Sequence, residues 1–494
     1  MRYLALCTDY DGTLATDGRV LPETVSALER LRASGRRLVL VTGRELDDLH
    51  QVCPRLDLFA YVVAENGALL FEPSTGKETP LAARPPDSFV TTLRQRSVGP
   101  ISEGRVIVAT WEPHETVVLE TIRDLGLELQ VIFNKGAVMI LPAGVNKATG
   151  LLSALEKMGL SPHNAVGVGD AENDHALLAL CECSAAVANA LPTLKSAADI
   201  VTAGDHGAGV VELIEEMLRD DLASREPQLK RHHVLLGTEV GGDEVRIPPH
   251  GEAVLLMGAG SHERAAVATT LMERFCAQGY TFCVVDAEGR YGEVAEAVSL
   301  GTSTRPPTTE EVVKLLQGAD KSGVVNLAGL PVAERRSFLE QLLAQVAQLR
   351  ARVGHPHWLV LDETHTLLPA ECPAEGNGRA AHGESLLHIT ERPGTVAREV
   401  LRSISLVIVL GATEQVGARL QEFATAAARG APTLEPIRPS DGEAVAWRPR
   451  EPGAAPFRIN ITASLPANGL GGSAAVVATT ANLRAARSSR QPTN

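Results

Sequence analysis

A chain of 494 residues with 44% apolar and 21% charged side chains can bury two or three cores, because domains usually run to about 100–200 residues. Its formal net charge of −14 argues against a protein that coats nucleic acid or membrane through a generally basic surface, and no run of about 18 or more apolar residues offers a membrane span. The seven cysteines (Cys7, Cys53, Cys181, Cys183, Cys276, Cys283 and Cys372) are odd in number and form no CxxC pair. Cys181 and Cys183 could ligate metal as CxC, but no second pair or His cluster completes a site, so buried reduced thiols are expected. The start MRYLALCTDYDG has no cleavable signal pattern, which makes the cytoplasm the expected compartment.

Tyr3 to Thr13 (YLALCTDYDGT) reads as a buried parallel strand that delivers Asp9 and Asp11 into a Gly12-Thr13 turn. Ligands of open α/β sheets gather at such strand ends. Two carboxylates at i, i+2 suit one nucleophile and one acid/base if a cation screens their repulsion; a surface turn is the lesser reading of DxDGT alone. Pro22 to Ser34 reads as a helix, with Pro22 at its start and Gly35 as its stop. Strand, helix and strand then make a right-handed βαβ unit. Val39 to Arg44 (VLVTGR) ends in Thr42-Gly43, a hydroxyl and free N–H groups suited to a phosphoryl oxygen. Arg44 to Val52 begins the next helix, and Tyr61 to Ala64 leads into Glu65-Asn66-Gly67-Ala68, where Asn66-Gly67 suits a type I′ turn.

Between about 82 and 143 the pattern shortens: helices are predicted over 86–96 and 113–125, and strands over 105–110, 128–133 and 137–141. Lys147 in GVNKATG is a cation that can neutralise phosphate charge and restrain a nucleophilic carboxylate. Ala165 to Asp174 (AVGVGDAEND) is a third strand running into Gly169-Asp170, with Asn173 and Asp174 behind it, oxygen ligands of the kind Mg²⁺ prefers. Helices over 147–159 and 174–181 and a short strand over 185–189 complete this part. The charge-rich stretch that follows makes 221–231 the expected linker.

The ordered set DYDGT, Thr42, Lys147 and GDAEND resembles the haloacid dehalogenase (HAD) superfamily of phosphohydrolases over residues 1–220. The resemblance implies an α/β fold, with a Rossmann-like core over 1–81 and 144–220 and a small α+β C2-type cap over 82–143. Such a cap excludes water and chooses the substrate. His114, Asn134 and Lys135 are its candidates for substrate contact. ENGA resembles the hairpin after the third core strand in the Cof-like branch. The family chemistry makes Asp9 the nucleophile and Asp11 the acid/base, with Thr42 and Lys147 on the phosphoryl oxygens. Mg²⁺ is then held by Asp9, the Asp11 carbonyl and Asp170, with Gly12, Thr13, Gly43, Asn173 and Asp174 in support. Cof-like and sucrose-phosphatase-like relatives imply a sugar phosphate or another small phosphorylated metabolite as substrate.

A second domain is expected over 232–447. Gly251 to Gly260 runs into a glycine-containing loop, and Arg264 to Gln278 continues as a helix, the context of a phosphate-binding loop. Its chemistry is degenerate, because Glu263, Arg264 and Ala265 stand where glycine, lysine and a metal-binding hydroxyl belong. With FCVVDAEGRY, the strand WLVLDE ending in Asp362-Glu363, THTLLP and LVIVLG, the region resembles the HerA/FtsK-like branch of P-loop ATPases. That makes Gly258, Arg264, Asp362 and Glu363 a candidate nucleotide site on a P-loop NTPase-like α/β domain. Residues 448–494 read as a disordered tail. The expected protein is a Mg²⁺-dependent phosphomonoester hydrolase that handles no nucleic acid and no membrane. Two other readings stand beside it: a regulatory or assembly protein built on an oligomeric HerA-like module, and a phosphotransferase or phosphomutase using the same aspartyl-phosphate.

Overall fold

The computed structural model describes residues 1–461 except 135, 240, 293, 295, 372–384, 431 and 433–442, so Lys135, Cys372 and most of the expected tail lie outside the described residues. The chain forms two compact units that part between Arg231 and His232. The first begins with β1 (Ala5–Thr8), the hairpin β2 (Ala15–Thr16) and β3 (Arg19–Val20), α1 (Pro22–Ala33), β4 (Arg37–Val41), α2 (Leu46–Val52), β5 (Tyr61–Ala64), β6 (Leu69–Glu72) and β7 (Lys77–Pro80). The cap follows as α3 (Asp87–Gln95), β8 (Ser102–Glu103), β9 (Val108–Trp111), α4 (Glu115–Asp124), β10 (Leu129–Asn134) and β11 (Ala137–Pro142). The core then resumes with α5 (Lys147–Met158), β12 (Ala165–Gly169), α6 (His175–Leu180), β13 (Cys183–Ala186), α7 (Pro192–Ala197), β14 (Ile200–Val201) and α8 (His206–Asp220).

The core sheet has the order β14-β13-β12-β1-β4-β5-β6-β7. It is parallel from β14 to β5, and β6 and β7 extend it as an antiparallel meander. All four residues of β1 are buried, as the apolar run requires of a strand covered on both faces. Thr8 lies level with Leu40 on one side and Val168 on the other, so the ends of β1, β4 and β12 emerge together. The cap is an antiparallel sheet, β10-β11-β9-β8, whose inner residues Val108, Val138 and Ile140 pack with Phe89, Val90, Leu93 and Val118 from α3 and α4. Its strand expected over 105–110 begins only at Val108, because the N–H groups of 105–107 bind a core carboxylate instead of a ladder. The strand expected over 185–189 runs from Cys183 to Ala186.

Residues 221–231 are no linker. Leu222 and Leu229 are buried in the core, Asp221 pairs with Arg36 at 2.8 Å, and Arg231 reaches Asp199 at 3.0 Å and the carbonyls of Leu178, Ala179 and Cys181. The charges that read as a solvated connector are satisfied inside the first unit.

The second unit contains β15 (Val234–Glu239), β16 (Glu244–Ile247), β17 (Ala253–Met257), α9 (Ser261–Ala277), β18 (Phe282–Asp286), β19 (Ala297–Leu300), α10 (Thr309–Leu316), β20 (Ser322–Asn326), α11 (Val332–Val353), β21 (Trp358–Leu361) and α12 (Thr364–Leu367). It continues with β22 (Ser385–Thr390), α13 (Arg398–Ser403), β23 (Leu406–Leu410), α14 (Thr413–Ala426), β24 (Glu443–Trp447) and β25 (Phe457–Asn460). The sheet order is β16-β15-β25-β24-β23-β17-β22-β21-β18-β20-β19. It is parallel from β23 to β19 and antiparallel across the other four strands. Successive residues of β17 serve opposite faces: Val254 and Leu256 pack with α9, and Leu255 and Met257 pack with α13 and α14. β25 corrects the expectation of a tail starting at 448, since Ile459 is fully buried and the strand pairs with both β24 and β15. No helix among the described residues is long and apolar enough to cross a membrane.

Candidate active site

Asp9 follows β1, Thr42 follows β4 and Asp170 follows β12, so three strand ends bring their polar residues to one edge. Lys147 is the first residue of α5, a position where the helix dipole disfavours a cation. Its surroundings outweigh that cost. The ammonium, 1% exposed, donates to Asp9 Oδ1 at 2.6 Å and to Asp174 Oδ1 at 2.6 Å. Asn146 fixes the helix start: its Oδ1 accepts from the N–H groups of Ala148 and Thr149, and Thr149 Oγ1 accepts from Asn146 N. The second oxygen of Asp174 accepts from the N–H groups of Asp170 and Ala171 at 2.9 and 3.0 Å, and Thr13 Oγ1 donates to Asp170 Oδ1 at 3.1 Å.

The carboxylates of Asp9, Asp170 and Asp174 are all buried and lie within 4.8 Å of one another. Burial, with Asp174 and Asp170 adding to it, pushes the Asp9 carboxyl up to about 7 against the pull of Lys147. Burial alone would lower the Lys147 ammonium, but Asp174 and Asp9 raise it above its ordinary value. Three buried carboxyl groups beside the Lys147 ammonium make a dry site of hard oxygen donors. That donor set fits a divalent cation such as Mg²⁺.

The carboxylate of Asp11 is held apart from this cluster. Arg44 donates to both its oxygens, from Nε at 2.6 Å and from Nη2 at 2.7 Å, pairs also with Asp48, and stacks over the Tyr10 ring. Its hydrogen bonds to Asp11 raise the guanidinium further above its ordinary value. The sequence reading gave Arg44 no role; its place directly after Thr42-Gly43, facing the strand end that carries Asp11, is the signal it passed over.

The remaining predicted positions fall around the cluster. Thr42 is buried and its Oγ1 accepts from Arg44 N at 3.1 Å. Gly12, at φ 86°, turns the chain, and its carbonyl accepts from Asn189 Nδ2 at 2.7 Å. A Cβ on Gly43 would stand 3.0 Å from Met139 Cε of the cap and 3.6 Å from Asn173 Nδ2, so the cap reaches the catalytic edge. Asn173 Nδ2 in turn donates to Asn66 Oδ1 at 3.0 Å. His114 is less promising as a substrate contact, since it precedes α4 and its Nε2 bonds the Gly99 carbonyl at 3.0 Å. Asn134 Oδ1 is buried without a hydrogen-bond partner among the described residues. Cys181 and Cys183 are buried and outside any disulfide among the described residues.

In the second unit Gly258, Arg264, Asp362 and Glu363 do come together. Arg264, 1% exposed, turns back on its own loop, donating to the Gly258 carbonyl at 2.6 Å and to Glu363 Oε1 at 2.8 Å. Arg290 binds the same Glu363 oxygen at 2.6 Å. Burial, reinforced by Glu363 and Asp286, pushes the Asp362 carboxyl up to about 7.

A family profile described as haloacid dehalogenase-like hydrolase matches residues 6–97 and 112–214. Phosphoglycolate phosphatase 2 of Saccharolobus solfataricus is 30% identical over 224 residues, 44% of this chain and 92% of that protein. Phosphoglycolate phosphatases of Methanothermobacter thermautotrophicus and Haloarcula marismortui are 30% and 31% identical, over 98% and 95% of their own lengths and 43% and 42% of this chain. A solved haloacid dehalogenase-like hydrolase from Bacteroides thetaiotaomicron aligns over 44% of this chain and 99% of its own, at 19% identity and a TM-score of 0.40. The chain therefore belongs to the haloacid dehalogenase-like hydrolases and is an enzyme of their phosphatase type. The profile match lies in the first unit.

Proposed function

We propose that the first unit is a Mg²⁺-dependent phosphomonoester hydrolase working through an aspartyl-phosphate. The observation that carries this reading is the Lys147 ammonium held at 2.6 Å from both Asp9 and Asp174, with Asp170 alongside. Asp9, the Asp11 carbonyl and Asp170 would hold the ion, which shields a carboxylate nucleophile from an incoming phosphate dianion. Asp9 attacks phosphorus as the ester P–O bond breaks, and Asp11 gives its proton to the leaving oxygen. Asp11 then takes a proton from water, whose oxygen bonds to phosphorus and releases Asp9 and inorganic phosphate. To act so, Asp11 must turn away from Arg44, and the 33% exposure of its side chain leaves room for that rotation. Thr42 and Lys147 bind the phosphoryl oxygens, Asp174 holds Lys147 in place, and Asn173 engages Asn66 beside them.

The substrate is a small phosphorylated metabolite. The relatives named phosphoglycolate phosphatases favour short phosphorylated carboxylates beside the sugar phosphates the sequence suggested. Phosphate release from a panel of phosphoglycolate, sugar phosphates and ATP, with Mg²⁺ or EDTA, tests the reading. Metal-dependent release that disappears in Asp9→Asn is expected; release that survives Asp9→Asn, or none from any compound, overturns it. For the second unit, the internal engagement of Arg264 favours a HerA-like scaffold for assembly or regulation that does not turn over nucleotide.

A further inference from the structure

Three consecutive residues, Glu65, Asn66 and Gly67, have positive φ of 53°, 54° and 104°, between β5 and β6. Only glycine adopts such a backbone freely; for glutamate it is strained, and strain of this kind persists where surrounding contacts enforce it. The contacts here are specific. The backbone N–H groups of Glu65 and Asn66 donate to the carbonyls of Arg44 and Thr42 at 2.9 and 3.0 Å, tying the turn to the phosphoryl-binding strand end. The Asn66 amide meets Asn173, and a Cβ on Gly67 would stand 1.9 Å from the Asn146 carbonyl at the head of the Lys147 helix. Glu65 faces the other way. Its buried carboxylate accepts from Arg105 N at 2.7 Å, Val106 N at 2.7 Å and Ile107 N at 2.9 Å, where the chain enters cap strand β9. No lysine or arginine side chain pairs with it among the described residues, so three cap N–H groups carry the charge. Arg105 adds a bidentate bond to Asp47 at 2.7 and 2.9 Å and a bond to Glu78 at 2.9 Å on the core.

We propose that Glu65 is the positioning residue that sets where the cap sits over the catalytic edge, and through it which phosphorylated molecules fit. The inference rests on the hydrolase reading above. One rigid turn grips the cap with Glu65 and touches the threonine, lysine and Asn173 motifs with its backbone, Asn66 and Gly67. Cap and phosphoryl site are thereby held in one register. Met139, at the middle of β11, the cap strand that pairs with β9, lies against Gly43.

The test uses the full chain and two variants. Glu65→Gln keeps the volume but offers one acceptor oxygen and turns an N–H group against the donors of 105–107. Gly104→Ala acts from the cap side, since its Cβ would lie 2.6 Å from Glu65 Oε1. Hydrogen exchange should accelerate by about tenfold or more at residues 105–107 in both variants, with β1 unaffected. The ratio of kcat/KM for the best substrate of the panel to that for p-nitrophenyl phosphate should fall by about tenfold, through KM of the preferred substrate. Unchanged exchange at 105–107, or an equal loss for both substrates, overturns the proposal. A wild type silent on every compound overturns the hydrolase reading and the selectivity half with it, while the exchange arm still decides whether Glu65 holds the cap.

Discussion

Replacing Lys147 by methionine removes one charge from the centre of the site while nearly keeping its volume. In the wild type the ammonium is the shared partner of Asp9 and Asp174, and all three side chains are almost wholly buried. Deleting one member of such a set leaves buried carboxylate charge uncompensated, which costs about 3–5 kcal/mol. The cost has a pH signature. The Asp9 carboxyl is pushed up to about 7 in the folded protein against 3.8 as the free side chain. A carboxyl raised on folding destabilises the folded state wherever the unfolded chain has lost that proton, so the penalty is absent below about pH 4, grows between about pH 4 and 7 and is constant above that. Losing the pull of Lys147 moves its upper edge higher still. Hydrogen exchange of β1 and β12 in the full chain, measured in EDTA at pH 5 and pH 8, reads the local opening free energy without relying on a single two-state transition. A loss below about 1 kcal/mol at pH 8, or an equal loss at both pH values, would refute the electrostatic account of the site.

Other outcomes follow from the same contacts. Gly67→Ala combines a positive φ with a clash against the Asn146 carbonyl, and should cost about 2–4 kcal/mol, read as faster exchange at the start of α5 together with a fall in kcat. Arg264→Met should destabilise β17 and β21 by about 1–3 kcal/mol, less than a full buried-pair loss because Arg290 still binds Glu363, and exchange of the two strands measures it. Millimolar Mg-ATP should leave the exchange of α9 unchanged in the wild type, because the cation at the loop is already bonded internally. Protection of the loop by ATP would contradict that.

The N-terminal site was readable because its chemistry sits at strand ends, where an apolar run stops and a turn begins. Asp9, Thr42 and Asp170 carry that local mark, and Lys147 and Asp174 stand at helix starts. Two kinds of feature carried none. Glu65 reads as the first residue of a good turn, and its role as acceptor for 105–107 depends on a segment 40 residues away that looked like strand. Arg44 reads as the tail of VLVTGR, and only the fold shows it gripping Asp11. The stretch 221–231 failed for the opposite reason: its density of charge resembles a solvated connector, and the pairing of Asp221 with Arg36 and of Arg231 with Asp199 comes from distant sequence. Phe457 to Asn460 was hidden by the Ala-, Gly- and Ser-rich composition around it, though its alternation suits a strand.

The inward turn of Arg264 bears on how the second unit would behave as cellular conditions change. A loop that takes its shape from a bound nucleotide links the stability of its domain to nucleotide concentration, by RT ln(1 + [L]/Kd). Here Glu363 and the Gly258 carbonyl supply the partners such a ligand would bring. On the scaffold reading proposed above, the fold of this unit is uncoupled from the energy state of the cell, and whatever surface it presents stays constant when ATP falls.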